Sequence, residues 1–261
     1  MARLDLRGKT AIITGAGSGI GRALAVGLAA RGCHLALSDI RPAMLEPLAA
    51  ELAPRGLRIS CHTLDVADRT QVAAFPEVVA TAHPSVDLLF NNAGVALAGR
   101  FDEVSEQDFE WLLSINFHGL VRMTRAFLPV LKQRPQAHLV NIASLFSLVS
   151  PAGQTAYCAS KFAVRGFSDA LRHELDGSTV GVSVVCPGGV ATRIAVDARV
   201  GHAVDTAALQ TNLQRAAKLL SLPADKAAET ILQGVERRKP RILVGNDAKA
   251  GAFLERLMPI G

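Results

Sequence analysis

Short apolar runs alternate with longer stretches of helical spacing along most of the chain. Residues 10–14, 34–38, 58–64, 86–90, 138–142, 181–186 and 241–244 form such runs, rich in Val, Ile and Leu. Several are apolar without interruption instead of alternating with polar residues. That pattern marks strands buried on both faces, as in a parallel sheet. Between them lie segments with apolar residues three and four apart, such as 20–30 and 109–131. The repeated strand–helix–strand order predicts an α/β fold: one doubly wound parallel sheet of about seven strands with helices on both faces. No internal repeat or linker divides the chain, so residues 1–261 are expected to form a single domain.

Two segments break the alternation. Residues 190–228 contain no evident strand, and an insertion of that length over the carboxyl edge of a sheet is expected to act as a substrate lid. The tail, 247–261, places Phe253, Leu254, Leu257 and Met258 at helical spacing. Such a face covers a pocket, a neighbouring subunit or a membrane surface.

Composition narrows the classes. With 49% apolar residues in 261, a large core is within reach. The net charge of +5 raises the question of an anionic partner. The basic residues are scattered, however, and only Arg237, Arg238, Lys239 and Arg241 cluster, without interleaved aromatics. They read as a solvated turn before a strand, and nucleic-acid binding is not expected. Cys33, Cys61, Cys158 and Cys186 form no C-x-x-C pair and no zinc spacing with histidine, so no metal site is expected. Each reads as a reduced, small hydrophobe within an apolar run. No signal segment and no transmembrane-length apolar run is present, which predicts a soluble, cytoplasmic protein.

The chemistry begins where the first run ends. Thr14-Gly15-Ala16-Gly17-Ser18-Gly19-Ile20-Gly21 turns from strand to helix. Glycines let the backbone approach a pyrophosphate, whose charge meets the positive end of the helix. Gly15, Ser18, Gly19, Ile20 and Gly21 are therefore candidate cofactor-binding residues of a Rossmann-type domain. A P-loop lysine is missing, since Arg22 follows Gly21, which argues against nucleoside triphosphate hydrolysis. Asp39 ends the second run, eighteen residues after Gly21. A carboxylate there accepts hydrogen bonds from the adenosine ribose and repels a 2′-phosphate, by about 4 kcal/mol at ~4 Å and an effective dielectric of about 20. The sign favours NAD over NADP, although Arg41 or Arg22 could swing toward a phosphate.

With four further motifs the chain resembles the short-chain dehydrogenase/reductase family. The glycine segment matches T-G-x-x-x-G-x-G, and Asn91-Asn92-Ala93-Gly94 matches N-N-A-G. Ser144 stands thirteen residues before Tyr157, and Tyr157-Cys158-Ala159-Ser160-Lys161 matches Y-x-x-x-K. Pro187-Gly188 with Thr192 matches P-G-x-x-x-T. The likeness extends over residues 6–245. It implies that Asp65 and Val66 lie along the adenine, that Asn92, Ala93 and Gly94 line the adenosine ribose and pyrophosphate side, and that Val190 and Thr192 contact the nicotinamide. It implies a homo-oligomer, a dimer or tetramer built through long helices. It also implies a catalytic set of Asn116, Ser144, Tyr157 and Lys161, with Asn116 holding a water that links Lys161 to solvent.

The residues themselves support part of that set. Tyr157 and Lys161, four apart in a helical stretch, project from one face. A free tyrosine titrates near 10, and a neighbouring ammonium favours its phenolate; reaching the range of about 7–8 requires about 3–4 kcal/mol. Tyr157 is thus expected as general acid/base and Ser144 as the hydrogen-bond partner of the reacting oxygen. Ser160 lacks a triad partner, which discounts hydrolase chemistry. Val95, Ala96 and Leu97, with Leu145, Phe146, Leu148 and Val149 and with Ile194, Ala195 and Val196, are expected to line an apolar pocket. The expected activity is hydride exchange between NAD(H) and a hydrophobic secondary alcohol or ketone. An NADPH-dependent carbonyl reductase and a non-catalytic dinucleotide-binding regulator are the competing readings.

Overall fold

A computed structural model of the chain describes residues 3–204 and 220–258. Nine strands are described: β1 Thr10–Thr14, β2 His34–Asp39, β3 Ile59–Thr63, β4 Leu88–Asn91, β5 Leu97–Ala98, β6 Ala137–Ile142, β7 Val180–Pro187, β8 Arg199–Val200 and β9 Arg241–Val244. The α-helices among the described residues are α1 Gly19–Ala30, α2 Glu46–Leu52, α3 Arg69–Ala82, α4 Glu106–Leu113, α5 Leu120–Lys132, α6 Thr155–Glu174, α7 Ala224–Glu236 and α8 Asn246–Leu257. Seven strands form one parallel sheet in the order β3-β2-β1-β4-β6-β7-β9. The fold is a Rossmann-type doubly wound α/β domain. None of the described helices is long and apolar enough to cross a membrane.

Alternate residues of each strand feed two different cores. Ala11, Ile13, Leu35, Leu37, Leu88 and Phe90 pack against α1, α2 and α7. Their neighbours Ile12, Ala36 and Leu89 pack with α3 and α5 through Phe75, Met123 and Phe127. Burial on both faces is why the sequence shows unbroken apolar runs there. The ends of the sheet are secured by polar groups. The buried Asp87 accepts the Thr10 amide at 3.0 Å and Arg134 Nε at 2.8 Å. Removing its carboxylate strands a buried amide and a half-buried guanidinium. Asp87→Ala is expected to lower folding stability by about 3 kcal/mol in urea denaturation; a loss under about 1 kcal/mol would contradict this account.

Three features were not expected. β5 and β8 form a two-residue parallel ribbon, Leu97 opposite Arg199 and Ala98 opposite Val200, and β8 falls inside the stretch 190–228 read as strandless. The guanidinium of Arg199 lies 3.6 Å from the Trp111 ring centroid and pairs with Asp108 at 3.1 Å. The helical stretch 109–131 is interrupted by a π-helical turn at Ser114–Gly119. Cys61, read as a small core residue, is exposed, because β3 is an edge strand. Of the segment 190–228, residues 205–219 lie outside the described residues, as do 259–261 of the tail. α8 does leave Phe253, Leu254 and Leu257 exposed, together with the adjacent Met258.

Candidate active site

Strand order reverses between β1 and β4, so the loops after these strands diverge and leave a crevice at their carboxyl ends. The glycine loop after β1 is tied to the N-N-A-G segment after β4. Thr14 Oγ1 accepts the amides of Asn92 and Ala93, each at 3.0 Å. Asn92 Nδ2 donates to the carbonyls of Thr14 at 2.9 Å and Gly15 at 3.1 Å. Both amide donors of Asn92 are thus spent on holding the loop, so its part at the ribose side is to shape the backbone there. Gly15 has a φ of 64°, and a Cβ on it would stand 3.0 Å from Ala93 Cα. Ser18 takes the extended N-cap conformation of α1 but makes no side-chain cap bond, and the first turn of α1 has no acidic residue. Among the described residues, no side chain caps the first-turn amides of α1, which suit an anion. Ile20 packs on the core below. Thr192, from the loop after β7, sits over Gly19, where a Cβ would meet its methyl at 3.0 Å. Val190 in the same loop is buried and bridges to Leu222.

Asp39 closes the adenosine side. Its Oδ2 accepts the Gly17 amide and its Oδ1 the Arg41 amide, both at 3.0 Å. The carboxylate is therefore fixed under the glycine loop. The Arg41 side chain is half exposed, 3.9 Å from Asp39 and 4.0 Å from Asp197. Asp65 forms a local turn, its Oδ1 accepting the Ala67 amide at 2.8 Å. Val66 is buried against Gly119 of the π turn.

The four expected catalytic residues fall into one neighbourhood. Ser144 caps the short turn after β6, its Oγ accepting the Phe146 amide at 3.1 Å. Its side chain lies near enough to the Tyr157 phenol to favour the phenolate. Tyr157 and Lys161 occupy successive turns of α6. Lys161 Nζ lies 5.5 Å from the Tyr157 ring centroid and donates to the Ile142 carbonyl at 3.2 Å. Asn116 sits on the π turn, a type of bulge that often marks functional sites. Its Oδ1 accepts the Val95 amide at 2.8 Å, and its Nδ2 donates to the Val95 carbonyl at 3.0 Å and to Ser160 Oγ at 3.2 Å. A Cβ at Gly94 would lie 3.3 Å from Asn116 Oδ1 and 3.5 Å from Lys161 Nζ, so the N-N-A-G segment brings these two side chains together.

The electrostatics reverse one expectation. Burial pushes the Tyr157 phenol up to about 12, against the opposing influence of Ser144. Burial likewise pushes Lys161 down to about 8. The expected lowering of Tyr157 by its lysine is thus absent in the protein by itself. Desolvation wins because the ammonium is buried too and gives its hydrogen bond to the Ile142 carbonyl.

The expected pocket lining is only partly correct. Phe146 meets the Tyr157 ring edge-on at 6.0 Å. Leu97 and Leu148 are buried in core clusters. Leu145 packs under Gly251 of α8, whose Cβ would stand 2.5 Å from it. Ala195 and Val196 line a cleft of about 1230 Å³ that opens beside Gly19 and Thr192, between α1 and α7; Ser144, Tyr157 and Lys161 do not line it. The sequence reading missed the bridging role of the Thr14 hydroxyl, although that residue opens the first motif.

Comparison with known proteins supplies the family. Residues 9–202 match the family model described as short chain dehydrogenase. The chain is 41% identical over 256 residues to SadH of Mycobacterium tuberculosis, covering 97% of this chain and 92% of that one. A short chain dehydrogenase/reductase of Burkholderia phymatum, solved in complex with NAD, superposes with a TM-score of 0.89 at 33% identity, covering 97% of this chain and 95% of that one. A metagenomic short-chain oxidoreductase in complex with NADP gives a TM-score of 0.75 at 26% identity, covering 92% and 98%.

Proposed function

The chain belongs to the short-chain dehydrogenase family of oxidoreductases, and from that premise we propose that it exchanges a hydride between NAD(H) and a hydrophobic secondary alcohol or ketone, with Tyr157 as the general acid/base. The observation that carries this reading is that Lys161, within 5.5 Å of the Tyr157 ring on the same face of α6, reaches Gly94 and Asn116 at the carboxyl end of β4, beside the switch point of the sheet. The residues fit a dinucleotide. The first-turn amides of α1 suit the pyrophosphate, Asp39 the adenosine ribose, and Val190 and Thr192 the nicotinamide side. When bound, the nicotinamide supplies or accepts the hydride.

The remaining work falls to side chains. In reduction, Ser144 donates a hydrogen bond to the carbonyl oxygen and Tyr157 delivers a proton to it. In oxidation, the Tyr157 phenolate takes the hydroxyl proton. Lys161 binds the nicotinamide ribose. Asn116, bonded to both backbone groups of Val95, keeps the π turn against the Lys161 pocket and gives a proton path to solvent. Val95 and Phe146 favour an apolar substrate over a polyol.

The test is turnover of hydrophobic ketones and secondary alcohols with NAD(H) and with NADP(H). Related structures hold either cofactor, and the buried Asp39 under the glycine loop favours NAD here. The wild type is expected to prefer NAD over NADP by at least about 100-fold in kcat/KM, within the reach of one like-charge repulsion. Asp39→Asn keeps an acceptor for the Gly17 amide and removes the charge. The preference is then expected to fall below about tenfold, with Arg41 free to meet a 2′-phosphate. A wild type that prefers NADP would show that Arg41 outweighs Asp39. Silence with every substrate, despite tight cofactor binding, would favour a non-catalytic regulator.

A further inference from the structure

The tail helix α8 touches both arms of the candidate site. At its start, Asp247 Oδ2 accepts the Gly189 amide at 2.6 Å, while Oδ1 accepts its own neighbour's amide, Ala248, at 2.9 Å. Gly189 belongs to the loop that carries Val190 and Thr192. The preceding Gly188 leaves the sheet through its amide bond to the Val244 carbonyl at 2.9 Å. A Cβ on Gly188 would overlap the Asp247 carboxylate, so glycine there admits the contact. In its middle, Gly251 rests on Leu145, the residue after Ser144. Near its end, Glu255 binds Arg165 at 2.6 Å. The same guanidinium nitrogen donates to the Ser147 carbonyl at 2.9 Å, and Ser147 Oγ donates to the Ser144 carbonyl at 2.6 Å. One helix thus holds the turn before Thr192 by a charge-assisted bond and the turn after Ser144 through a guanidinium.

We propose that α8 is a brace for the reacting end of the cofactor site, with Asp247 as a positioning residue for the nicotinamide loop and Glu255, through Arg165, as a positioning residue for Ser144. The proposal rests on the dinucleotide reading given above. A carboxylate on a backbone amide is among the stronger hydrogen bonds, and it adds a side-chain anchor to a glycine turn otherwise held by backbone bonds to Val244 and Leu222. Releasing it lets Gly188–Val190 sample other conformations, and the cost of ordering that loop then falls on nicotinamide binding. Among the described residues, no hydrogen bond joins the glycine loop or Asp39, which serve the adenosine end, to Asp247.

That separation supplies the test, which measures the affinity of the full chain for NADH and for ADP-ribose by calorimetry. ADP-ribose carries the adenosine and pyrophosphate but no nicotinamide. Asp247→Ala is expected to weaken NADH binding about tenfold and to leave ADP-ribose within about twofold. Asp247→Ser, whose shorter side chain suits a helix start but falls short of Gly189, is expected to behave alike and serves if the alanine variant folds poorly. Asp247→Asn retains an oxygen acceptor and restores NADH binding to within about threefold of wild type. Glu255→Ala is expected to leave both affinities unchanged and to lower kcat. Parallel weakening of both ligands, or of neither, by Asp247→Ala and Asp247→Ser overturns the brace. A wild type that binds neither ligand overturns the dinucleotide reading and the brace with it. NADH binding by the wild type that is indifferent to Asp247 overturns the brace alone.

Discussion

Tyr157→Phe lowers kcat by about three to four orders of magnitude while NADH affinity stays within about twofold, if the phenol is the proton donor and acceptor. Phenylalanine keeps the ring that packs edge-on against Phe146 and stays within reach of Lys161, and removes only the titrating oxygen. Because this is the one tyrosine of the chain, the ultraviolet absorbance of tyrosinate reports it alone, and the mutant supplies the blank. In the free protein that signal is expected to rise only near pH 12, where burial has pushed the phenol. A cationic nicotinamide ring close by favours the phenolate, so NAD binding is expected to move the signal to lower pH. The pH profiles then follow opposite signs. Oxidation needs the phenolate and speeds up as pH rises. Reduction needs the phenol and slows as pH rises. Lys161, which burial holds near 8, loses its charge well below the pH at which the phenol of the free protein ionises. The raised phenol also bears on stability. Its contribution is complete below about 10, the ordinary value, and disappears as pH rises through about 12. A tyrosinate signal that ignores NAD, or a Tyr157→Phe variant as active as wild type, would remove Tyr157 from its role.

That reversal of the tyrosine's titration shows what kind of information the sequence carries. The central strands were legible because burial on both faces keeps their runs largely apolar, as in the buried Thr10–Thr14 and Ala137–Ile142; the edge strand β3, half exposed, shows the weaker run Ile59–Thr63. The glycine turn, N-N-A-G, Ser144 and Y-x-x-x-K were legible because close backbone approach and helical spacing demand those residue types. The β5–β8 ribbon was not, since two residues per strand carry no period. Nor was the π turn. Residues 109–131 satisfy helical spacing on either side of it, and the extra residue that turns Asn116 toward Val95 leaves no mark on the apolar pattern. The Tyr157 value depends on how much water two neighbouring groups lose together, which spacing does not express. Asp247 lies 58 residues from Gly189, and its contact is with a backbone amide. A bond to the main chain leaves no complementary residue type to look for.

Gly21→Ala is expected to reduce NADH affinity by at least about 100-fold and folding stability by about 1–3 kcal/mol. Gly21 lies in the first turn of α1, and a Cβ on it would overlap the Gly15 carbonyl oxygen and press at 2.5 Å on Asn92 Nδ2. Those atoms are the tie between the two loops at the switch point, made at 3.1 Å. The methyl group cannot be relieved by a side-chain rotation, because its main obstacle is backbone. Either α1 moves away from β1, which shifts the amides meant for the pyrophosphate, or Gly15 moves and releases Asn92, which carries the N-N-A-G segment away from Lys161. Both responses fall on the cofactor, so affinity drops by more than the stability loss alone predicts. Gly166→Ala gives the contrast within the same protein. Gly166 is an exposed position in α6 with nothing within 4 Å of its would-be Cβ. Alanine there gains helix propensity of about 1 kcal/mol and is expected to raise the urea midpoint with NADH affinity unchanged. If Gly21→Ala bound NADH as tightly as Gly166→Ala, the close approach of α1 to the glycine turn would not be what holds the pyrophosphate site together.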